Sequence, residues 1–354
     1  DGAAESEVSL DRARQAFRDI ELVPNILRDV SNVDLTREVF GVTHQMPMGI
    51  APTGFTRLMQ TEGEIAGARA AQKFGIPFSL STLGTTSIED VVKAAPNGDN
   101  WFQLYMWKDR EGSMALVERA RQAGVKTLHL TVDVPAAGHR LRDTYNGLTI
   151  PPTLTVKTLL NAIPRPAWWM NFLTTPAIEF ASMSSWNGTV GELLDYMFDP
   201  TMTFEDLKWI RSEWDGNLIV KGVQNLEDAK MAAKLGADAV LLSNHGGRQL
   251  DGVLSSARAL PPIADAVKGD IKILADSGIR NGLDVVRMLA LGADTCMLGR
   301  AFVYALGAAG GEGVSNLLEL IDKEMRVAMT LTGAKTIADI TSDCLVKLEK
   351  ELAE

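Results

Sequence analysis

Ala239-Val240-Leu241-Leu242-Ser243-Asn244-His245-Gly246-Gly247-Arg248-Gln249-Leu250-Asp251 passes abruptly from apolar to polar residues. The apolar run reads as a short buried strand. The polar residues beyond it leave the strand's carboxyl end, where side chains meet solvent and ligand rather than core. His245 and Arg248 stand three positions apart there, and an imidazole beside a guanidinium can take a proton from an anionic substrate. The stretch predicts a site that binds an acid and deprotonates it.

Outward from this stretch, the chain repeats the same unit of short strand followed by helix. Candidate strands are Pro47 to Ala51, Pro77 to Leu80, Trp101 to Tyr105, Thr127 to Val132, Leu218 to Lys221, Ala239 to Ser243, Lys272 to Ala275 and Thr295 to Leu298. Helical spacing covers Glu62 to Phe74, Ser113 to Gln122, Leu226 to Leu235 and Leu283 to Leu291, several closed by a glycine. Alternation of this kind implies a parallel sheet with right-handed crossovers, and about eight strands is the number that closes a (β/α)8 barrel. An open doubly wound sheet is the alternative, but its glycine-rich first turn is absent. The expectation is one barrel domain over 1–354, with a long insertion after strand four at 151–200.

The strand ends carry polar residues that a core has little use for. In order they are Pro52-Thr53-Gly54, Ser81-Thr82, Gln103 and Tyr105, Thr131 and Asp133, Lys221, Ser243 and His245, Asp276-Ser277-Gly278-Ile279-Arg280, and Gly299-Arg300. A barrel gathers them on one rim, where reactive groups sit. The last two groups pair small residues with an arginine in the loops after strands seven and eight, where barrels commonly hold a phosphate.

Composition narrows the function classes. The 354 residues are 46% hydrophobic and 23% charged, enough to bury a large core. A net charge of −10 argues against nucleic acid, whose phosphates need a basic face. No apolar run reaches the roughly 18 residues of a membrane span, and no signal peptide opens the chain, which begins at Asp1 rather than Met. Cys296 and Cys344 are too few for a disulfide framework and fit a reducing compartment. No His, Cys and carboxylate spacing resembles a metal site.

Among single residues, Lys221 can hold negative charge on a cofactor ring or simply reach water from a strand end. Arg140 and Arg248 can grip a carboxylate in a fork. Asp133 can orient His245 and stabilise its protonated form. His44, His129 and His139 read as structural.

These motifs together, with Ala51-Pro52-Thr53-Gly54, Trp101-Phe102-Gln103-Leu104-Tyr105, Thr131-Val132-Asp133, Val220-Lys221-Gly222 and Leu298-Gly299-Arg300, resemble the FMN-dependent L-2-hydroxy acid dehydrogenase and oxidase family. The likeness runs in order over essentially the whole chain and is greatest to the bacterial respiratory L-lactate dehydrogenases. It implies a (β/α)8 barrel that oxidises a 2-hydroxy acid to the 2-oxo acid while reducing FMN. By the same resemblance His245 is the base, Asp133 its partner, Arg140 and Arg248 the carboxylate clamp, and Tyr105 a hydrogen-bond partner of the substrate oxygens. Lys221 is placed at the N1/C2=O end of the flavin. Gln103, Thr131, Ser81, Ser243 and the backbone of Pro52, Thr53 and Gly54 line the cofactor site, Asp276 meets the ribitol, and Gly278, Arg280, Gly299 and Arg300 hold the phosphate. Whether the hydroxyl proton or the α-proton goes to His245 stays open.

The family's second active-site tyrosine has no match in Tyr145, Tyr196 or Tyr304, and is expected upstream of residue 1. Gly54, where several family oxidases have alanine, is expected against the flavin and favours a dehydrogenase. Leu83 matches a position near the substrate's side chain. Ile163-Pro164-Arg165-Pro166-Ala167-Trp168-Trp169-Met170-Asn171-Phe172-Leu173 in the insertion suits either a membrane interface or a lid over the site. The resemblance implies peripheral attachment to the cytoplasmic side of the inner membrane, transfer of electrons to quinone or another acceptor, and a homotetramer. The rival readings are a soluble oxidase that makes peroxide and a non-redox FMN- or phosphate-binding barrel, such as a flavin-dependent isomerase.

Overall fold

The computed structural model describes residues 2–147, 156, 160, 162–175, 178, 180–181 and 198–346. Most of the insertion expected at 151–200 lies outside the described residues.

Eight strands close a barrel: β3 (Met48–Ile50), β4 (Phe78–Ser81), β5 (Asn100–Tyr105), β6 (Thr127–Thr131), β7 (Asn217–Val223), β8 (Ala239–Leu242), β9 (Lys272–Ala275) and β10 (Thr295–Leu298). Each pairs in parallel with its chain neighbour, and β10 closes on β3. All the predicted strands are present. The main boundary change is in β7, which runs on through a bulge between Lys221 and Val223. Gly222 occupies the bulge at φ 107°, a conformation that glycine adopts without steric cost.

Side chains alternate across the strands and make two cores. Ala51, Trp101, Ile219, Ala239, Leu241, Leu274 and Met297 fill the barrel. The alternate residues, such as Leu128, Leu130, Val240 and Leu242, pack outward on α3 (Gly63–Phe74), α5 (Arg110–Gln122) and their successors. A hairpin of β1 (Arg37–Val39) and β2 (Val42–His44) brings Phe40 against Trp101 at 6.0 Å between ring centroids, stopping the amino-terminal mouth. His44 belongs to this hairpin and bonds Asp99 at 2.9 Å. Burial, with the charge of Lys221, pushes the His129 imidazole down to about 3, so it is a neutral core residue.

The remaining helices are α1 (Val8–Asp19), α2 (Thr56–Met59), α4 (Ile88–Ala94), α6 (Leu141–Tyr145), α7 (Pro166–Leu173), α8 (Phe204–Glu213), α9 (Leu226–Lys234), α10 (Ser256–Val267), α11 (Gly282–Ala290) and α12 (Arg300–Thr332). Helix α10 carries Pro261 and Pro262 inside it, residues that ordinarily break a helix. Its buried face of Ala257, Leu260, Ile263, Ala264 and Val267 holds it against the barrel. Helix α12 breaks at Ala309–Gly310, and the Glu62 carboxylate accepts from the Gly311 N–H just past the break at 2.8 Å.

Candidate active site

The loop after β8 is the most constrained part of the rim. His245, Gly246 and Gly247 all have positive φ, at 55°, 66° and 76°. The left-handed conformation costs a non-glycine residue roughly 1–2 kcal/mol, so it persists only where surroundings over-determine it. Here they do. Ser243 Oγ accepts from the His245 N–H at 3.0 Å, and Ser277 Oγ accepts from the N–H groups of Asn244 and Gly246 at 3.2 and 3.1 Å. Asn244 Oδ1 accepts from Gly247 N–H at 3.0 Å, and Arg300 Nη1 donates to Gly246 O at 2.7 Å. The result is that His245 Nδ1 lies 3.1 Å from each oxygen of Asp133. An ionised carboxylate there fixes the proton on Nδ1 and leaves Nε2 as the basic nitrogen.

Asp133 is held from two sides. Gly222 gives it room: a Cβ there would come within 2.6 Å of the aspartate's Cβ and Cγ. Gln249 Nε2 donates to the carbonyls of Asp133 and Ala136 at 2.8 and 2.9 Å. Burial favours the neutral acid, but the imidazole of His245, its hydrogen bond and the charge of Lys221 outweigh that and hold the carboxyl below its ordinary range.

Cations dominate the rest of the rim. Lys221 is buried, donates to Ser243 Oγ at 3.0 Å and pairs with Asp276 at 3.4 Å. Burial alone would discharge it, yet Asp276 and Asp133 raise its pKa above the usual lysine value. Burial, compounded by neighbouring Arg248, pulls Arg140 down to about 10. Burial also lowers Arg248, and burial together with Arg300 lowers Arg280. Two crowded, partly desolvated guanidinium pairs favour an anion beside each. Tyr105, buried and pushed up to about 12, stays a neutral hydroxyl. Its backbone N–H donates to Thr82 Oγ1 at 3.1 Å.

The polar groups between these pairs fit a flavin mononucleotide. Gln103 Oε1 accepts from Ser81 Oγ and Thr82 N–H at 3.1 and 3.3 Å, while its Nε2, the Thr131 hydroxyl and Arg280 Nη1 are buried without a hydrogen-bond partner among the described residues. Such groups are costly unless something meets them. An amide, a hydroxyl and Lys221 near one another suit the carbonyls and ring nitrogens of an isoalloxazine. Arg280, Gly299 at the amino end of α12, and Arg300 suit its phosphate.

Several predicted residues sit on the rim with different immediate partners. Gly54 packs closely on the next rim loop, where an added Cβ would lie 2.8 Å from the Leu83 Cβ. Gly278, at φ 98°, abuts Phe17 of α1, 2.9 Å from where a Cβ would stand. Ser243 spends its oxygen on Lys221 and His245, and Asp276 is committed to Lys221 and to the Ser277 hydroxyl at 2.7 Å. Thr53 turns its hydroxyl back to Ala51 O at 3.3 Å, beside half-buried Pro52. Ser277, Asn244 and Gln249 have no role legible in the sequence, although all three hold the histidine loop or its aspartate. His139 is exposed and lies 3.5 Å from Glu5.

A parallel α/β barrel whose rim joins a histidine–aspartate pair to two arginine pairs and a buried lysine defines an enzyme that handles an anionic substrate beside an anionic cofactor. Residues 1–347 match the FMN-dependent dehydrogenase family, and the chain belongs to this family of FMN-dependent 2-hydroxy acid dehydrogenases. FMN is its cofactor. It is 52% identical over 358 residues to an L-lactate dehydrogenase of Acinetobacter baumannii, covering 99% of this chain and 93% of that one. Among solved structures it is similar to (S)-mandelate dehydrogenase, described as a monotopic membrane protein, at TM-score 0.93 and 38% identity over 98% of this chain and 93% of that one. It is also similar to a mandelate oxidase, at TM-score 0.82 and 36% identity over 98% and 91%.

Proposed function

We propose that this enzyme oxidises L-lactate to pyruvate at the membrane surface and passes the electrons to quinone. The observation that carries the chemistry is the His245–Asp133 pair at 3.1 Å on the same rim as Arg140 and Arg248. The two arginines bind the substrate carboxylate, and Tyr105 donates to a substrate oxygen. His245 Nε2 takes one proton as the carbinol carbon is oxidised, and Asp133 stabilises the resulting imidazolium. FMN, when bound, supplies the two-electron acceptor for that oxidation. Lys221 offsets the negative charge that gathers on the cofactor, with Gln103, Thr131 and Ser81 along the ring and Arg280 and Arg300 at the phosphate. The likeness to an L-lactate dehydrogenase supports lactate as the acid.

We read 1–354 as one catalytic domain and 151–200 as its membrane-docking insertion, on the cytoplasmic face, in a homo-oligomer. Support for docking comes from α7, which has no charged residue in its first or last turn and exposes Trp168, Met170 and Leu173 beside exposed Ile163. The likeness to a monotopic membrane protein supports it too. Among the described residues no helix is long and apolar enough to cross a membrane, which suits attachment in the interface plane. The helix is fixed to the barrel where Trp168 Nε1 donates to Leu58 O at 3.1 Å and Thr61 Oγ1 donates to Asn171 at 2.8 Å. Turnover with L-lactate should run on a soluble quinone analogue and yield little peroxide in air, and the enzyme should sediment with anionic vesicles. Peroxide made in step with pyruvate, with all protein left in the supernatant, would identify a soluble oxidase instead.

A further inference from the structure

We infer that Phe180, within the insertion, is a positioning residue that sets the width of the site at the end where the substrate's side chain lies. This rests on the reading that the enzyme oxidises a 2-hydroxy acid. Phe180 is 8% exposed, and its ring meets that of Phe55 edge-on at 4.5 Å and 66°. Its neighbour Ala181 donates its N–H to Gly84 O at 3.2 Å. Phe180 and Ala181 are therefore keyed into two rim loops at once, those after β3 and β4.

Those loops are themselves locked together. The Phe55 N–H donates to Leu83 O at 3.1 Å, and Gly54 approaches Leu83 so closely that a Cβ would lie 2.8 Å from the leucine's own. Thr82, next to Leu83, accepts from the Tyr105 N–H at 3.1 Å. Leu83 thus follows directly on the residue whose hydroxyl holds the backbone of Tyr105. Phe55 also holds a left-handed backbone at φ 57°, a strained conformation for an aromatic residue that needs support from outside its own loop. The buried ring of Phe180 gives that support. With it in place, Phe55 and Leu83 are pressed inward and the site admits a small side chain; without it, both loops can draw back and admit a larger one.

The test is Phe180→Ala in the FMN-loaded full chain, with kcat/KM measured for L-lactate and for (S)-mandelate. The expected result is a rise of about tenfold in the mandelate-to-lactate ratio, the scale on which a changed apolar pocket discriminates, carried mainly by KM. FMN content should be unchanged, and Phe180→Leu should restore most of the original ratio. Equal losses on both acids with an unchanged ratio would show that Phe180 serves stability alone and would overturn the inference. Absence of turnover with either acid in the unmodified enzyme would instead defeat the underlying functional reading.

Discussion

Asp133→Asn retains the side chain's size and removes its charge, isolating what the carboxylate does for His245. Once His245 has taken a proton it is a cation whose Nδ1 lies 3.1 Å from both Asp133 oxygens. Unit charges about 4 Å apart attract by ~4 kcal/mol at an effective dielectric of about 20. The two side chains are 21% and 13% exposed, so solvent reduces this toward the ~1.5–3 kcal/mol of a hydrogen bond to a charged group. A loss of about 3 kcal/mol, at about 1.4 kcal/mol for each factor of ten, slows the step roughly 100-fold. The asparagine amide can also donate to Nδ1, which favours the tautomer with its proton on Nε2 and deepens the loss. The assay is stopped-flow reduction of the flavin by L-lactate without oxygen, with the saturating rate and the half-saturating concentration read separately. The rate should fall about 100- to 1,000-fold while the half-saturating concentration moves by less than about threefold, as for an interaction made only in the transition state. A saturating rate within about fivefold of the unmodified enzyme would refute the assignment of Asp133 as the partner of the base.

The same geometry sets two further outcomes. Arg248→Lys replaces a planar fork by a point charge, so the half-saturating L-lactate concentration should rise about 10- to 100-fold, as expected for a lost charge-assisted hydrogen bond; unchanged saturation kinetics would remove Arg248 from the carboxylate site. In acid, the depressed carboxyls should govern stability. Asp133 is lowered because His245 outweighs its burial, and Asp199 is lowered because the hydrogen bonds from Thr201 and the guanidinium of Arg110 do the same. Groups with depressed folded pKa values add stability that is complete above the unfolded value of 3.8 and is lost as the pH falls through that value toward the folded ones. The urea midpoint should therefore hold from neutrality to about pH 5 and drop below it, and a midpoint that rises between about pH 5 and pH 3 would contradict the sign.

The barrel was legible because its strands are short apolar runs that end in polar residues, a pattern local to each segment. Elements whose reason is tertiary were not. Pro261 and Pro262 make α10 a poor helix by local rules, and only its buried face explains it. The hairpin of β1 and β2 has no strong strand pattern and exists to stop the barrel mouth with Phe40. At the site, the histidine, arginine and lysine could be read because they are chemically unusual at strand ends. Their supports could not, since Gly222 is needed only because Asp133, from another strand, comes so close. His245 itself adopts a positive φ that the loop enforces as its N–H groups donate to the hydroxyls of Ser243 and Ser277. Gly54 likewise has a tertiary neighbour that its sequence position does not reveal, since an added Cβ there would lie 2.8 Å from the Leu83 Cβ.

The most direct test of the central claim is the absorbance spectrum of the FMN-loaded enzyme, without oxygen, before and after addition of L-lactate and, separately, D-lactate. The L form should bleach the flavin bands, the D form should not, and one pyruvate should appear for each flavin reduced. Flavin that is clearly bound yet left unbleached by L-lactate and by other L-2-hydroxy acids would contradict the proposed chemistry and favour a barrel that binds FMN without oxidising such acids.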